Sequence, residues 1–401
     1  MQKIYEITRY AYTNVPLYIR IAQEMNLDVD KMTDEELWNA APYVNKERFV
    51  ESDADCISVK YISRLYQNKL MCLRTSGSTG MYMNIRWDSA DYNRSMLPLW
   101  MMRKKYYSIK PADKLVYFYT TRTTGAKEKD YEYSKNSMGI SKALLSTDMI
   151  RNVYINIYQY NPDWMLLQPS VAMMLCYAKK KYDLPDIQGL KYIEMTGEYL
   201  SEEVRSDIKE AFKCNIANQY GCMEANSIAY ECPYGNMHCM TDNVHVINED
   251  GKIYITTLRN YAMPFVKYGI GDSIEIDSSL TDCRCGCTSP VIKVNAGREC
   301  DYIMLDNGNV HSSCIHRLFD IANICTDGAI RQYKVIQSHF NIFDIYVVTD
   351  EKMITDYLKE LFTTGLQDII GTVPVINMFI SEVLLQDCMT GKMKSFECKI
   401  E

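Results

Sequence analysis

No apolar run in this chain of 401 residues approaches the ~20 residues that a bilayer core demands. The best candidate, Trp164-Met165-Leu166-Leu167, is halted by Gln168 and Pro169. The opening Met1-Gln2-Lys3-Ile4-Tyr5-Glu6 lacks the basic patch and apolar stretch of a secretory signal. A cytoplasmic protein without membrane insertion is therefore expected. Positive charge is in deficit too. The formal net charge is −7, whereas nucleic acid and anionic membranes reward a basic face, so neither is an expected partner. A local basic pocket for one anionic ligand is still compatible with that charge. The chain also has no internal repeat and no low-complexity linker.

With 47% hydrophobic and 24% charged residues, the composition is that of an ordinary globular protein, long enough for one large domain and a smaller one. The 24 methionines and 32 tyrosines are spread along the chain and need no cofactor to explain them. Fifteen cysteines are many, and eight of them lie between Cys214 and Cys300. Cytosolic thiols stay reduced, so local clustering points to metal binding more than to a disulfide framework.

Several elements are legible. Leu115-Val116-Tyr117-Phe118-Tyr119 has the continuous apolar character of a buried strand. Leu190 to Met195 predicts a second strand, followed by Thr196-Gly197-Glu198; Ser201 then caps a helix carrying Val204, Ile208 and Phe212 at spacings of four. A loop at a strand's carboxyl end is where α/β sheets place ligands. Val244 to Ile255 predicts a hairpin turning at Asp250-Gly251. Near the end, Ile345 to Thr349 predicts a strand and Asp350 a cap for a helix with Ile354, Tyr357, Leu358 and Leu361 on its apolar side. This alternation predicts a compact α+β module, with a boundary near Gly297-Arg298.

Leu73-Arg74-Thr75-Ser76-Gly77-Ser78-Thr79-Gly80 puts hydroxyls and glycines together after a hydrophobic approach. Successive N–H groups in such a turn can nest phosphate oxygens. No Gly-Lys-Ser/Thr follows, so this is not a Walker loop. Gln219-Tyr220-Gly221-Cys222-Met223-Glu224, after a short strand expected at Asn215–Asn218, sets an aromatic ring beside a glycine, where a purine can stack, and a carboxylate suited to Mg²⁺ three residues on. Tyr268-Gly269-Ile270-Gly271-Asp272 offers an aspartate on a glycine-supported turn, able to accept from two ribose hydroxyls. Arg298 can pair with ribose or phosphate oxygens, and Lys392 stands in Thr390-Gly391-Lys392-Met393-Lys394. Each segment alone also reads as an ordinary turn.

Their order is specific: hydroxyl–glycine loop, Tyr-Gly-x-x-Glu, Tyr-x-x-Gly-Asp, Gly-Arg, terminal Gly-Lys. It resembles the adenylate-forming superfamily of acyl-CoA synthetases and adenylation domains, and within it the phenylacetate–CoA ligase and CapK-like branch. Gln168-Pro169-Ser170, Thr196-Gly197-Glu198, Ala262-Met263-Pro264 and the Cys-x-Cys-Gly at Cys283–Gly286 support the likeness, which runs over nearly the whole chain.

The resemblance implies an α/β fold with a large N-terminal domain, 1–297, and a small mobile α+β domain, 298–401. Thr75, Ser76, Gly77, Ser78, Thr79 and Gly80 would hold the outer phosphates of ATP. Tyr220, beside Gly221, would stack on adenine, with the Gly197-Glu198-Tyr199 backbone on the other face. Glu224 would bind Mg²⁺, Asp272 the ribose hydroxyls, and Arg298 the ribose or phosphate region. Lys392 would bridge carboxylate and α-phosphate, with Lys394 as its competitor.

The implied partners are a small carboxylic acid and a thiol or amine acceptor, CoA foremost; a homodimer is left open. Some positions depart from the pattern. Met81-Tyr82 stands where many relatives have proline and lysine, Met223 replaces a threonine, and Cys300 stands where the hinge often has aspartate. Asp306-Asn307-Gly308 leans toward the CapK-like side and keeps an amine or hydroxyl acceptor in view, while the missing loop lysine and Met223 keep a catalytically impaired nucleotide-binding scaffold in view.

Cys232 and His238 form a Cys-x₅-His pair and Cys283 and Cys285 a Cys-x-Cys pair, about fifty residues on. Zn²⁺ commonly takes four thiolate or imidazole ligands as two local pairs, and some relatives in this branch carry a similar set. Cys239 or Cys287 could substitute, and reduced thiols around a hairpin are the plainer alternative. The acid pocket is not legible.

Overall fold

The computed structural model of the chain describes residues 2–74, 83–119, 130–144, 149–249, 252–277, 282–298, 302–305, 308–312, 314–315, 318–319, 321–322, 326, 330, 332–349, 354–381 and 395–400. They fall into two units, each drawn from two stretches: Met1–Lys110 with Asn218–Val294, and Pro111–Ala217 with Asn295–Glu401.

In the first unit, Val15 is extended, as the residue before a proline prefers, and Pro16 opens a new helix at the position where its missing N–H costs nothing. The helices Gln2–Asn14 and Pro16–Glu24 bury Ile4, Ile7, Ala11, Leu17, Tyr18 and Ile21. Thr33 starts the helix Asp34–Ala40 with a capping box closed by Glu36. These elements pack over an aromatic knot. Phe49 stacks on Phe265 at 4.7 Å, and Tyr268 meets both edge-on at 5.3 and 4.9 Å. Each such fully buried ring contributes about 1.5–3 kcal/mol. The Tyr18 hydroxyl donates to the Pro264 carbonyl and accepts from the Val266 N–H, fastening the Met263–Val266 stretch.

Three strand arrangements complete this unit. Met71–Arg74 pairs with Asn84–Trp87, Arg74 opposite Asn84. Val244–Glu249 pairs with Lys252–Thr257, which pairs with Tyr268–Gly269. Asn215–Cys222, Asn226–Glu231, Met237–Cys239, Val291–Arg298 and Asp272–Asp277 lie in that order as neighbours. The Asn215–Cys222 strand runs four residues further than the sequence suggested, because a bulge lets Tyr220-Gly221 stay in the ladder. The Asp250-Gly251 turn lies outside the described residues.

The second unit holds parallel strands in the order Tyr192–Thr196, Trp164–Leu167, Leu115–Tyr119, Ser137–Ser141, with Tyr131–Tyr133 antiparallel at the edge. Helices Ile150–Tyr160, Pro169–Lys181 and Glu202–Phe212 cover them, burying Val116, Met165, Leu167, Leu175, Ile193, Met195 and Ile208 in one core. Ser201 caps the last helix on Val204, as its sequence predicts. The C-terminal stretch forms a four-stranded sheet, Val375–Ser381, Ile342–Val348, Gln332–His339, Phe396–Cys398, packed by Leu358, Phe362 and Leu366 of the helix Ile354–Ile370. Its buried Gln337 side chain exchanges hydrogen bonds with both backbone groups of Met304, which pins the hairpin Tyr302–Leu305/Gly308–His311. The fold class is thus mixed α/β.

Candidate nucleotide site and metal centre

The strand Asn215–Cys222 reverses through Met223-Glu224-Ala225 into Asn226–Glu231. The register shifts between Tyr220 and Gly221. A Cβ at Gly221 would stand 2.0 Å from the Asn226 carbonyl oxygen, so only glycine fits this close approach. The turn is held from outside: Trp87 Nε1 donates to the Met223 carbonyl at 2.9 Å, and Asn226 Nδ2 donates to Ser95 Oγ at 2.9 Å.

A second segment meets it. Tyr268-Gly269 is strapped between Lys252–Thr257 and Val44. Gly271 at φ +67° takes a backbone conformation that other residues resist, and Asp272 opens the strand Asp272–Asp277. Just before it, Lys267 is buried. Its Nζ donates to the Ala41 carbonyl at 2.9 Å and lies 4.8 Å over the Trp38 ring and 5.3 Å over Tyr43. Burial lowers its pKa.

Between the two segments run two hydrogen bonds. The Tyr220 hydroxyl donates to Asp272 Oδ2 at 2.6 Å, and the Tyr268 hydroxyl donates to Glu224 Oε1 at 3.1 Å. Glu224 is buried, whereas Tyr220 and Asp272 are half-buried. Between the carboxylates lies Cys222, whose thiol is pushed well above its ordinary range by burial and then by Glu224 and Asp272. The arrangement joins an aromatic ring beside a glycine with two carboxylates of different exposure.

Of the other expected site residues, Arg298 ends the strand Val291–Arg298. Thr75 to Gly80, and Lys392 with its competitor Lys394, lie outside the described residues. Gly197, Glu198 and Tyr199 stand in the second unit, directly after the strand Tyr192–Thr196. There the Glu198 carboxylate accepts from Ser170 N at 3.0 Å and Ser170 Oγ at 2.9 Å, at the start of the helix Pro169–Lys181. A carboxylate there satisfies orphan N–H groups and complements the helix dipole. Tyr268, Trp87 and Ser170 were not singled out as site residues. For Tyr268 the signal was present: Tyr-Gly-x-x-acid occurs at both 220–224 and 268–272.

The structure brings the donor atoms of Cys232, His238, Cys283 and Cys285 within 4.8 Å of one another. Cys232 follows the strand Asn226–Glu231 and His238 lies in Met237–Cys239, while Cys283 and Cys285 come from a turn closed by Gly286 N donating to the Cys283 carbonyl. Cys232 and Cys283 sulfurs are 3.7 Å apart, and Cys285 Sγ is 3.3 Å from His238 Nε2. Zinc–sulfur bonds of about 2.3 Å in a tetrahedron put sulfurs about 3.8 Å apart. Surrounding groups orient these ligands. His238 Nδ1 lies 3.2 Å from the Ser289 carbonyl, which leaves Nε2 to the thiols. Asn236 Nδ2 donates to Cys283 Sγ and Cys287 N to Cys285 Sγ. Burial raises the Cys283 pKa, but the Cys285 backbone N–H, Asn236, His238 and Cys285 outweigh it and draw the thiol down to about 6. The thiolate is the form a metal takes.

No protein-family model matches the chain. Among curated relatives it is similar to Protein CapK of Staphylococcus aureus, 24% identical over 293 residues, which is 70% of this chain and 63% of that protein. It is also similar to the phenylacetate-coenzyme A ligase of Thermus thermophilus, 24% identical over 192 residues, 44% of this chain and 43% of that one. Both matches span less than two thirds of the relative's length. Among solved structures, 2-hydroxyisobutyryl-CoA ligase in its postadenylation state with R3-HIB-AMP superposes with a TM-score of 0.72 at 16% identity, over 99% of this chain and 88% of that chain. At that identity the likeness is one of fold.

Proposed function

The resemblance of this chain to the adenylate-forming superfamily, and within it to the phenylacetate–CoA ligase and CapK-like branch, holds in sequence and in fold; from that premise we propose that it activates a carboxylic acid with ATP and passes the acyl group to a thiol, CoA foremost. A carboxylate oxygen attacks the α-phosphorus, the bond to pyrophosphate breaks, and an acyl-adenylate remains. The thiol then attacks the acyl carbon and AMP leaves. The work is positioning and charge neutralisation more than covalent chemistry.

The observation that carries this reading is the crossed contact of the two Tyr-Gly-x-x-acid segments, which gathers Tyr220, Glu224 and Asp272 in one unit. In it the half-buried Tyr220 offers its ring to adenine, and Asp272 accepts from the ribose hydroxyls. Glu224 suits Mg²⁺ by donor type, since that ion takes oxygen ligands and a buried carboxylate supplies them with a charge. Bound there, Mg²⁺ supplies neutralisation of phosphate charge. Thr75 to Gly80, the Gly197–Tyr199 backbone, Arg298 and Lys392 keep the roles the resemblance implies. The 1–297 and 298–401 division is carried over from the resemblance as well, and a cytoplasmic location is proposed from the lack of a long apolar run. The three thiols and one imidazole fit Zn²⁺ by kind and by spacing. A closed four-ligand site ties loops together and leaves no position open for substrate.

The test is carboxylate-dependent exchange of pyrophosphate into ATP across a panel of acids, with CoA consumption followed in parallel. Exchange with at least one acid, and CoA loss with the same acid, is the expected result. ATP binding without exchange for any acid would overturn activation in favour of a nucleotide-binding scaffold. Lys392→Ala should abolish exchange and leave ATP binding within about threefold, since the lysine acts on charge that develops in the transition state; equal loss from Lys394→Ala alone would move the role to that residue. One observation favours a second acceptor class. The match to CapK covers more of this chain than the match to the phenylacetate ligase. Exchange with no CoA consumption would favour an amine or hydroxyl acceptor.

A further inference from the structure

Resting on the reading above, the geometry points to Tyr268 and Tyr220 as positioning residues: each tyrosine of one Tyr-Gly-x-x-acid segment holds the carboxylate of the other segment in place for metal and ribose. The chain spells the pattern twice, as Tyr220-Gly221-Cys222-Met223-Glu224 and Tyr268-Gly269-Ile270-Gly271-Asp272. In each, tyrosine and acid are four residues apart, and the hydrogen bonds cross, from Tyr220 to Asp272 and from Tyr268 to Glu224.

Three observations support this assignment. First, Tyr268 cannot wander. Its ring is buried edge-on against the stacked Phe49 and Phe265, so its hydroxyl is a fixed donor for Glu224. Secondly, its backbone is fixed on both sides, since Val44 N donates to the Lys267 carbonyl and Gly269 N donates to the Val44 carbonyl. The buried Lys267, held at Ala41, secures the same stretch. Thirdly, each acid stands at a bend in the chain, Glu224 in the reversal at 223–225 and Asp272 directly after a positive-φ glycine, and the hydroxyl that meets it comes from the other segment. A hydroxyl that donates to a carboxylate fixes its orientation, and hydrogen bonds to a charged acceptor are the stronger kind. A carboxylate turned away from its ligand must be reorganised at the moment of binding, which weakens affinity.

Replacing either tyrosine by phenylalanine removes one hydroxyl and keeps the ring. Binding of a non-hydrolysable ATP analogue, measured by calorimetry over a Mg²⁺ series, separates the two roles. Tyr268→Phe should raise the Mg²⁺ concentration needed for half-maximal tightening by about tenfold and leave the Mg²⁺-free affinity unchanged. In a Glu224→Gln background the same change should add nothing, because its target is gone. Tyr220→Phe should weaken the ribonucleotide analogue by about five- to tenfold and spare its 2′,3′-dideoxy counterpart, which has no hydroxyls for Asp272 to grip. An unchanged Mg²⁺ midpoint in Tyr268→Phe, or equal loss for both nucleotides in Tyr220→Phe, would overturn the positioning role while nucleotide binding itself stands. Should Tyr268→Phe not fold, the half-buried Tyr220 provides the independent arm. If the unaltered protein binds no adenine nucleotide at any Mg²⁺ concentration, the proposed function falls and this inference with it.

Discussion

A methyl group added at Gly221 would meet the Asn226 carbonyl at 2.0 Å, and that oxygen belongs to backbone that cannot rotate away. The neighbouring strand is anchored at Asn226 to Ser95 and through Trp87 to Met223, so the clash cannot be relieved by sliding the turn. Gly221→Ala is therefore expected to cost about 2–3 kcal/mol, at the upper end of ordinary point mutations. A urea melt of the purified variant checks this through a lower midpoint at constant slope. An unchanged midpoint would mean that the bulge is far more pliable than its contacts indicate. The sequence displayed Tyr220-Gly221 as a ring with open access. The close approach to Asn226 was not legible, because it arises from a strand pairing that composition does not encode.

The element scale shows the same division in how much could be read. Leu115–Tyr119 was recovered to the residue, since a central parallel strand carries a continuous apolar run, although Val116 alone of the five is fully buried. Ser201 was recovered as a cap because capping is local. Asn215–Cys222 was cut short at Asn218, because Gln219, Gly221 and Cys222 carry no period-two signal and the bulge that accommodates them is tertiary. At the candidate site the two motifs were visible and their crossed contact was not, since Tyr268 and Glu224 are 44 residues apart in sequence. Glu198 makes the point with an energy attached. Its carboxylate serves the first turn of Pro169–Lys181, 28 residues away in the chain, a role the sequence does not display. Glu198→Ala should lower stability by about 1 kcal/mol, the usual value of such a cap. A melt at neutral pH in low and high salt would show it, with the loss smaller at high salt. No difference between the proteins would mean that the contact contributes nothing.

At the scale of the whole molecule the candidate zinc centre joins a hairpin at 232–238 to a turn at 283–285, about fifty residues on. Without a metal, three sulfurs and an imidazole are left crowded within 4.8 Å. With a metal, the loop of about fifty residues between the pairs is closed, and closure of that kind stabilises the folded chain at the expense of the unfolded one. Protein prepared without an affinity tag should contain about one equivalent of zinc. A ligand that binds only the folded state stabilises by about 4 kcal/mol when present at a thousand times its dissociation constant. At about 2–4 °C per kcal/mol for a unit of this size, stripping the metal should lower Tm by roughly 10 °C. Cys283→Ser should reproduce that fall and should not respond to added zinc. The same preparations separate a structural from a catalytic metal. Because four protein ligands fill the tetrahedron, metal-free protein assayed well below its own Tm should retain exchange activity and nucleotide affinity within about twofold. Loss of activity at a temperature where the stripped protein is still folded would show that the centre takes part in the chemistry. A metal-free preparation with an unchanged Tm would leave these residues as reduced thiols packed around a hairpin.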